Sequence, residues 1–91
     1  MIILFIIGVS STGDVFRIAR RIEAQGMKII ILFIGDGCKI VTDPHIIEGL
    51  SFARLYALRL DCHNPVASVE LIDYDGWVKL LEYSNKIVSW V

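Results

Sequence analysis

The stretch IILFIIGVSSTGDVFRIARRIEAQGMKIIILFI, residues 2–34, decides the fold that this sequence predicts. Ile2 to Ile7 is a continuous run of apolar residues, which predicts a strand buried on both of its faces. Four apolar residues then recur with the spacing of one helix face: Val15, Ile18, Ala19 and Ile22. Gly26 is well placed to end that helix, and Lys28 to Ile34 is a second buried strand. Strand, helix and strand at this spacing predict a βαβ unit with parallel strands and a right-handed crossover.

The rest of the chain continues the alternation of strands and helices. Five further elements are predicted: a short helix over 43–49, strands over 52–58 and 69–72, a helix over 73–85 and a last strand over 87–91. The order β-α-β-α-β-β-α-β predicts an α/β protein, a three-layer sandwich with a mostly parallel sheet of about five strands. The length of 91 residues suits one domain over residues 1–91 and is too short for two.

Polar residues mark the expected helix ends. Ser11 and Asp14 have the spacing of a capping box at the start of the first helix. Asp43 is expected to cap the short helix, with a proline in its first position. Asp75 is expected to cap the last helix, and Asn85 to close it in the left-handed conformation. These residues set the predicted helix boundaries.

The composition is unusually apolar for so short a chain: hydrophobic residues make up 55% of it, and the mean hydropathy is +0.62. A domain of this size cannot enclose so much apolar surface, so either a membrane segment or burial against other subunits is expected. The longest apolar stretch near the start, Met1 to Val9, is about half of the roughly 20 residues that a bilayer helix needs. The start also lacks the positive segment and cleavage site of a signal peptide. We therefore expect a cytoplasmic oligomer without a membrane segment.

The charges do not favour direct binding of nucleic acid. The net charge at pH 7 is −1, which provides no general attraction for a polyanion. Arg17, Arg20 and Arg21 form a basic patch on the first helix, but Glu23 lies beside them and no aromatic residues are interleaved. A solvated helix face is the better interpretation of this patch.

Candidate chemistry lies in the loops after the strands, because open α/β sheets bind ligands beyond the carboxyl ends of their strands. Cys38 follows the second strand in GDGCK, and Cys62 follows the third in LDCHNP. Each is either a reactive thiol or a small buried packing residue, and both interpretations stay open. The two cysteines lie far apart without a CxxC spacing, so we predict neither a disulfide framework nor a zinc knuckle. His45 and His63 complete no common zinc pattern with them, so no metal is expected.

The loop SSTGD, Ser10 to Asp14, allows an alternative function as a binding site for a phosphorylated ligand. Small residues that open a helix can hold a phosphate with backbone N–H groups and the helix dipole. The loop also resembles the flavin-phosphate loop of flavodoxins, although the chain is short for the further loops that hold a flavin ring. An ordinary capped helix explains the same residues, so no cofactor is expected.

Aromatic residues are concentrated near the end of the chain, at Tyr74, Trp77, Tyr83 and Trp90. Core packing accounts for some of them, but a core this small is not expected to take them all. Because aromatic side chains are favoured at the centres of interfaces, we predict a subunit contact that includes Tyr74, Trp77 and Trp90.

Three segments resemble the DsrH/TusB family of sulfur-relay proteins. LYALRLD at 55–61 is similar to the family's third strand, and IGDGC at 34–38 to its turn after the second strand. The most specific segment is LIDYDGWVKLLEYSNKIVSW at 71–90, which is similar to the family's closing motif. The resemblance covers nearly the whole chain, and it implies a DsrE-like fold.

The resemblance also implies a role in a complex of three related subunits, arranged as a dimer of heterotrimers. The partners would be DsrE-like and DsrF-like subunits (TusD-like and TusC-like), with self-association as the alternative. In TusBCD, persulfide sulfur passes along a relay that ends in thiolation of the wobble uridine of certain tRNAs. In DsrEFH, the related complex serves sulfur oxidation. An assembly of this kind would cover the apolar surface that a small domain cannot bury.

The sequence departs from the sulfur-carrying subunits of this family at the carrier position. Their active cysteine lies at the end of the third strand, where this chain has Leu58, and the first helix lacks the cysteine that DsrH proteins often carry. DCHNPVAS at 61–68 replaces a helical stretch of the family. The resemblance therefore implies a non-catalytic subunit and leaves open whether the chain is an enzyme. The alternative is a sulfurtransferase that carries persulfide on Cys62, about one turn beyond the carrier position, or on Cys38.

Overall fold

The computed structural model describes residues 1–91 and contains five strands, three α-helices and one short 3₁₀ helix. The strands are β1 (Ile2–Ile7), β2 (Lys28–Phe33), β3 (Arg54–Leu58), β4 (Val69–Ile72) and β5 (Lys86–Trp90). The α-helices are α1 (Gly13–Ala24), α2 (Pro44–Glu48) and α3 (Tyr74–Tyr83), and the 3₁₀ helix spans Gly35–Lys39. The predicted succession of strands and α-helices is confirmed, although β3 begins two residues later than predicted.

All five strands are parallel and lie in the order β4-β3-β2-β1-β5. β1 and β2 are aligned from Ile2 opposite Lys28 to Ile7 opposite Phe33. The connections from β1 through β4 advance in one direction along the sheet, whereas the connection from β4 to β5 returns past β1. Connections of one hand then place α1 and α2 on one face of the sheet and α3 on the other. The predicted α/β sandwich with a parallel five-stranded sheet is confirmed.

Two hydrophobic clusters pack on the two faces of the sheet. The larger cluster has 16 buried residues and includes Val15 and Ala19 from α1 and Ile47 from α2. The smaller cluster consists of five buried residues: Leu4, Ile6, Ile30, Leu32 and Leu80. Successive side chains of β1 and β2 point alternately into one cluster and the other. The continuous apolar runs of these strands therefore reflect burial on both faces, as predicted.

The helices are too short to form a membrane span. The longest, α1, has 12 residues, and no helix of the structure combines the length and the apolar character needed to cross a bilayer.

The ends of α1 and α2 confirm two sequence predictions. Gly26 follows α1 with a φ of +93°, in the left-handed region that a side chain disfavours. The side chain of Asp43 accepts hydrogen bonds from the backbone N–H groups of His45 and Ile46, and Pro44 is the first residue of α2. The end of α1 and the start of α2 therefore lie where the local sequence predicts them.

The capping box predicted at the start of α1 is wrong. Thr12, not Ser11, is the N-cap residue, and it makes no side-chain cap hydrogen bond. Asp14 lies in the first turn and forms an ion pair with Arg17, with 3.4 Å between the Arg17 Nη2 and the Asp14 Oδ1 atoms. The acidic residue therefore interacts with its own helix face and with the positive end of the helix dipole.

Both predicted ends of α3 are also wrong. Asp73, rather than Asp75, is the N-cap, and its Oδ1 accepts the Gly76 backbone N–H at 2.9 Å. Asn85 does not close the helix in the left-handed conformation. Instead its side chain accepts the Ile2 backbone N–H, and its own backbone N–H donates to the Ile2 carbonyl, both at 2.8 Å. The asparagine thus joins the starts of β1 and β5, a tertiary role that local sequence does not reveal.

Candidate functional site: a cysteine pair at the carboxyl edge of the sheet

The segments that follow β2 and β3 meet at the carboxyl edge of the sheet. The two strands are neighbours, and their last paired residues are Phe33 and Ala57. The 3₁₀ helix continues from β2, and residues 59–68 connect β3 to β4 without a helix. The two segments therefore emerge side by side at the edge where open α/β sheets place their ligands.

Cys38 and Cys62, one from each segment, are joined by a disulfide bond. Their Cα atoms lie 5.0 Å apart, within the ordinary range for a disulfide, and they are separated by 24 positions in the sequence. The sequence prediction placed both cysteines at this edge but was wrong in predicting no disulfide. Their pairing depends on β2 and β3 being neighbours, and on each cysteine following its strand by a few residues. Sequence spacing alone gives neither fact.

The two sulfur atoms differ in their access to solvent. Cys62 is 1% exposed and belongs to the larger hydrophobic cluster. Its sulfur lies 3.6 Å from the Phe33 carbonyl oxygen, the partner of a weak S–H hydrogen bond when the cysteine is a thiol. Cys38 is partly exposed and packs at the margin of the same cluster. A reactant from solution therefore meets Cys38 first.

Hydrogen bonds join the two segments in addition to the disulfide. The Gly35 backbone N–H donates to Asp61 Oδ2 at 2.9 Å, across the gap between the 3₁₀ helix and the β3–β4 connection. Further along, the Val66 backbone N–H donates to the Val41 carbonyl at 2.9 Å. The backbone of Cys62 is fixed by a 2.9 Å bond from its N–H to the carbonyl of Leu58, the predicted carrier position of the family. None of these bonds involves a sulfur atom.

The 3₁₀ helix is itself held tightly against the end of β1. Gly37 is buried, and a Cβ atom placed there would overlap the carbonyl oxygen of Ile7. Only glycine allows the two backbones to approach this closely. The GDG turn therefore helps to position Cys38 by close packing against β1, and no chemistry of its own is needed.

The other polar candidates are not gathered around the cysteines. His45 and His63 are exposed, and no group of three or more His, Cys, Asp or Glu side chains is arranged to hold a metal ion. In the SSTGD loop, Ser10 and Ser11 are exposed while Thr12 is buried ahead of α1. Nothing in this loop identifies a ligand, so the phosphate site stays a prediction.

The basic residues of α1 are exposed, and two of them have partners. Arg17 pairs with Asp14, as described above. Arg20 reaches to the loop before β3, where it donates to the Gly49 carbonyl at 2.8 Å and lies 5.5 Å from the centre of the Phe52 ring. The Arg20 side chain therefore ties α1 to that loop, a structural role rather than a free basic site.

The three aromatic residues predicted at a subunit contact do not form one patch. Tyr74 is exposed and stacks on Trp77, with 6.1 Å between ring centres and an angle of 16° between ring planes. Trp77 packs on the smaller cluster, and its indole N–H is buried without a hydrogen-bond acceptor. Trp90 packs on the larger cluster, on the opposite face of the sheet. The structure thus brings Tyr74 and Trp77 together and places Trp90 apart.

Fold and site together define a small parallel α/β protein with a cysteine pair at the carboxyl edge of its sheet. No protein-family model matches the chain, and no curated protein matches it. The chain is similar to the crystal structure of the YchN protein from E. coli, with a TM-score of 0.77 over 98% of this chain and 97% of that one. The sequence identity is 11%, so this likeness shows the fold alone. It confirms the predicted α/β fold with a parallel five-stranded sheet.

Proposed function

We propose that the chain is a subunit of a cytoplasmic sulfur-relay complex of the DsrH/TusB kind. It binds DsrE-like and DsrF-like subunits and supports their transfer of persulfide sulfur toward thiolation of the tRNA wobble uridine. The DsrE-like fold and the family-like closing segment at 71–90 support this function. The chain itself does not contact the nucleic acid, since its net charge is −1.

The observation that carries this proposal is the apolar outer surface of α3. Tyr74, Val78 and Leu81 recur with the spacing of one helix face and are 56%, 50% and 36% exposed. The inner face of the same helix buries Leu80 against the sheet. A helix that is apolar on both sides is typical of one covered by a further element, which here is supplied by a partner subunit.

Copurification with DsrE-like and DsrF-like subunits tests this function. The chain is coexpressed with both, and native mass spectrometry determines the composition of the complex. Val78→Lys on α3 is expected to lower the affinity of the complex by at least about tenfold, because it places a charge in the apolar contact. Ile18→Lys is the matched control, since Ile18 is also a half-exposed apolar residue but lies on α1. A wild-type chain that stays monomeric beside both subunits contradicts the proposal.

The cysteine pair favours a second candidate function, a sulfurtransferase that carries persulfide on its own cysteine. The two thiols are brought together at the ligand-binding edge of the sheet, with one of them accessible. Incubation of the reduced chain with a cysteine desulfurase and ³⁵S-cysteine is expected to transfer ³⁵S to a cysteine of the chain, detected as label on the protein or as ³⁵S-sulfide released above the level of the desulfurase alone. The label is expected to be absent from the Cys38→Ala/Cys62→Ala double variant. Equal labelling of the double variant would exclude this function.

A further inference from the structure

We propose that Cys38 and Cys62 act as one reversible dithiol–disulfide pair that releases sulfide from a persulfide. Cys38 receives the sulfur, and Cys62 expels it as hydrosulfide. This role rests on the second candidate function above and does not require a partner subunit. It assigns a different task to each cysteine, and the disulfide found in the structure is its end state.

The difference in burial assigns the order of the two cysteines. Cys38 is partly exposed, so a persulfide donor can approach its sulfur, whereas Cys62 is 1% exposed and faces the core. Attack by a thiolate on a sulfur atom requires access to that atom, and Cys62 has access only to its neighbour. Cys38 is therefore the receiving thiol, and Cys62 is the resolving thiol.

The chemistry balances in two steps. First, the Cys38 thiolate attacks the outer sulfur of a donor persulfide, RS–SH. The sulfur–sulfur bond of the donor breaks, RS⁻ leaves, and Cys38 becomes Cys38–S–SH. Second, the Cys62 thiolate attacks the inner sulfur of that persulfide. The Cys38–Cys62 bond forms, the terminal sulfur leaves as HS⁻, and the two electrons that the cysteines lose reduce the transferred sulfur to sulfide.

A dithiol reductant restores the starting state. It transfers two electrons to the Cys38–Cys62 bond, becomes a disulfide itself, and leaves both cysteines as thiols. The reduced pair is expected to stay in position because the Gly35–Asp61 and Val66–Val41 hydrogen bonds join the two segments without involving either sulfur. In a reducing cytoplasm, disulfides are mostly transient and catalytic rather than structural, which fits such a cycle.

The test uses the full chain alone, with glutathione persulfide as the sulfur donor. The chain is reduced with dithiothreitol, freed of reductant under nitrogen, and mixed with the donor. Free sulfide is measured with time, and intact mass with peptide mapping locates the added sulfur. Alanine replaces each cysteine in turn, because it removes the sulfur without placing a new polar group at the buried Cys62 position. Circular dichroism checks that each variant is folded, and the double alanine variant gives the background.

The wild-type chain is expected to release one sulfide per chain and to end as the disulfide. After reduction with dithiothreitol, a second addition is expected to release a second equivalent. Cys62→Ala is expected to keep one extra sulfur on Cys38 and to release sulfide at least about tenfold more slowly, since the resolving thiol is missing. Cys38→Ala is expected to take up sulfur at least about tenfold more slowly, because its remaining thiol is buried.

Three results would overturn the assignment. One is equal uptake of sulfur by the two single variants, which would remove the distinction between receiving and resolving thiols. Another is a wild-type chain that holds its persulfide without releasing sulfide. The third is a disulfide that dithiothreitol cannot reduce while the chain stays folded, because the bond would then be a permanent cross-link. None of these results bears on partner binding, so the sulfur-relay proposal is tested separately by the copurification experiment.

Discussion

The two faces of the sheet are covered to different extents. On one face, α1, α2 and the segments around the cysteine pair enclose a cluster of 16 buried residues. On the other face, α3 alone covers a cluster of five buried residues, and its outer side exposes further apolar side chains. The first face therefore has the larger part of the core, and it includes the cysteine pair. The second is the face to which the proposed partner subunit would bind.

Neighbouring isoleucines on β2 give the largest test of this comparison. Ile31 points into the larger cluster and Ile30 into the smaller one. We expect Ile31→Ala to lower the free energy of unfolding by about 4 kcal/mol, because a closely packed cluster cannot collapse into the cavity. Ile30→Ala is expected to cost about 2 kcal/mol, because α3 can move inward. Urea unfolding of both variants measures the difference, and equal losses would show that the two faces pack equally well.

Two glycines, one on the helix of each face, are expected to respond to alanine with opposite signs. Gly13 opens α1, and a Cβ atom there meets nothing within 4 Å. Gly13→Ala is therefore expected to stabilise the chain by about 0.5 kcal/mol, since it restricts the unfolded state. In α3, a Cβ atom at Gly76 would lie 2.9 Å from the Cβ of Ile72. Gly76→Ala is expected to cost about 1 to 2 kcal/mol, because overpacking exceeds the gain in helix propensity.

Thermal unfolding of both glycine variants, followed by circular dichroism, gives the two signs. The partner-binding assay described for Val78→Lys and Ile18→Lys can also be applied to the two glycine variants. If Gly76→Ala displaces α3 from the sheet, the outer face of α3 would be presented differently to a partner. If Gly76→Ala were as stable as Gly13→Ala, α3 would pack loosely against the sheet, and the close approach of Gly76 to Ile72 would not constrain its position.

The sequence predicted the fold well because the fold depends on local patterns. The apolar runs of β1 and β2 and the spacing of α1 require burial on both faces of a parallel sheet. Strand order was not specified by these patterns. Whether Trp90 faces the larger cluster or the smaller one depends on how β5 is placed beside β1. For that reason the sequence did not predict that Trp90 would lie apart from Tyr74 and Trp77.

The candidate site was predicted in its location but not in its connectivity. Cys38 and Cys62 were each assigned to a loop at the carboxyl edge, because that assignment needs only the strand that precedes each cysteine. Their disulfide needs the adjacency of β2 and β3 and the course of a connection that lacks the family's helical stretch. Both are tertiary properties, so sequence spacing favoured two unconnected thiols.

The smallest effect is expected at the start of α3, where the sequence named Asp75 as the cap and the structure has Asp73. Asp73→Ala removes the acceptor of the Gly76 backbone N–H and is expected to cost about 1 kcal/mol. Asp75→Ala leaves that bond in place and removes only a charge near the helix dipole, for a loss of about 0.3 kcal/mol. Chemical unfolding of both variants at low ionic strength compares the losses. A larger loss for Asp75→Ala would move the helix start to the position that the sequence suggested. The expected order would instead show that α3, the only helix on its face of the sheet, begins after Asp73 and is capped by the carboxylate of that residue.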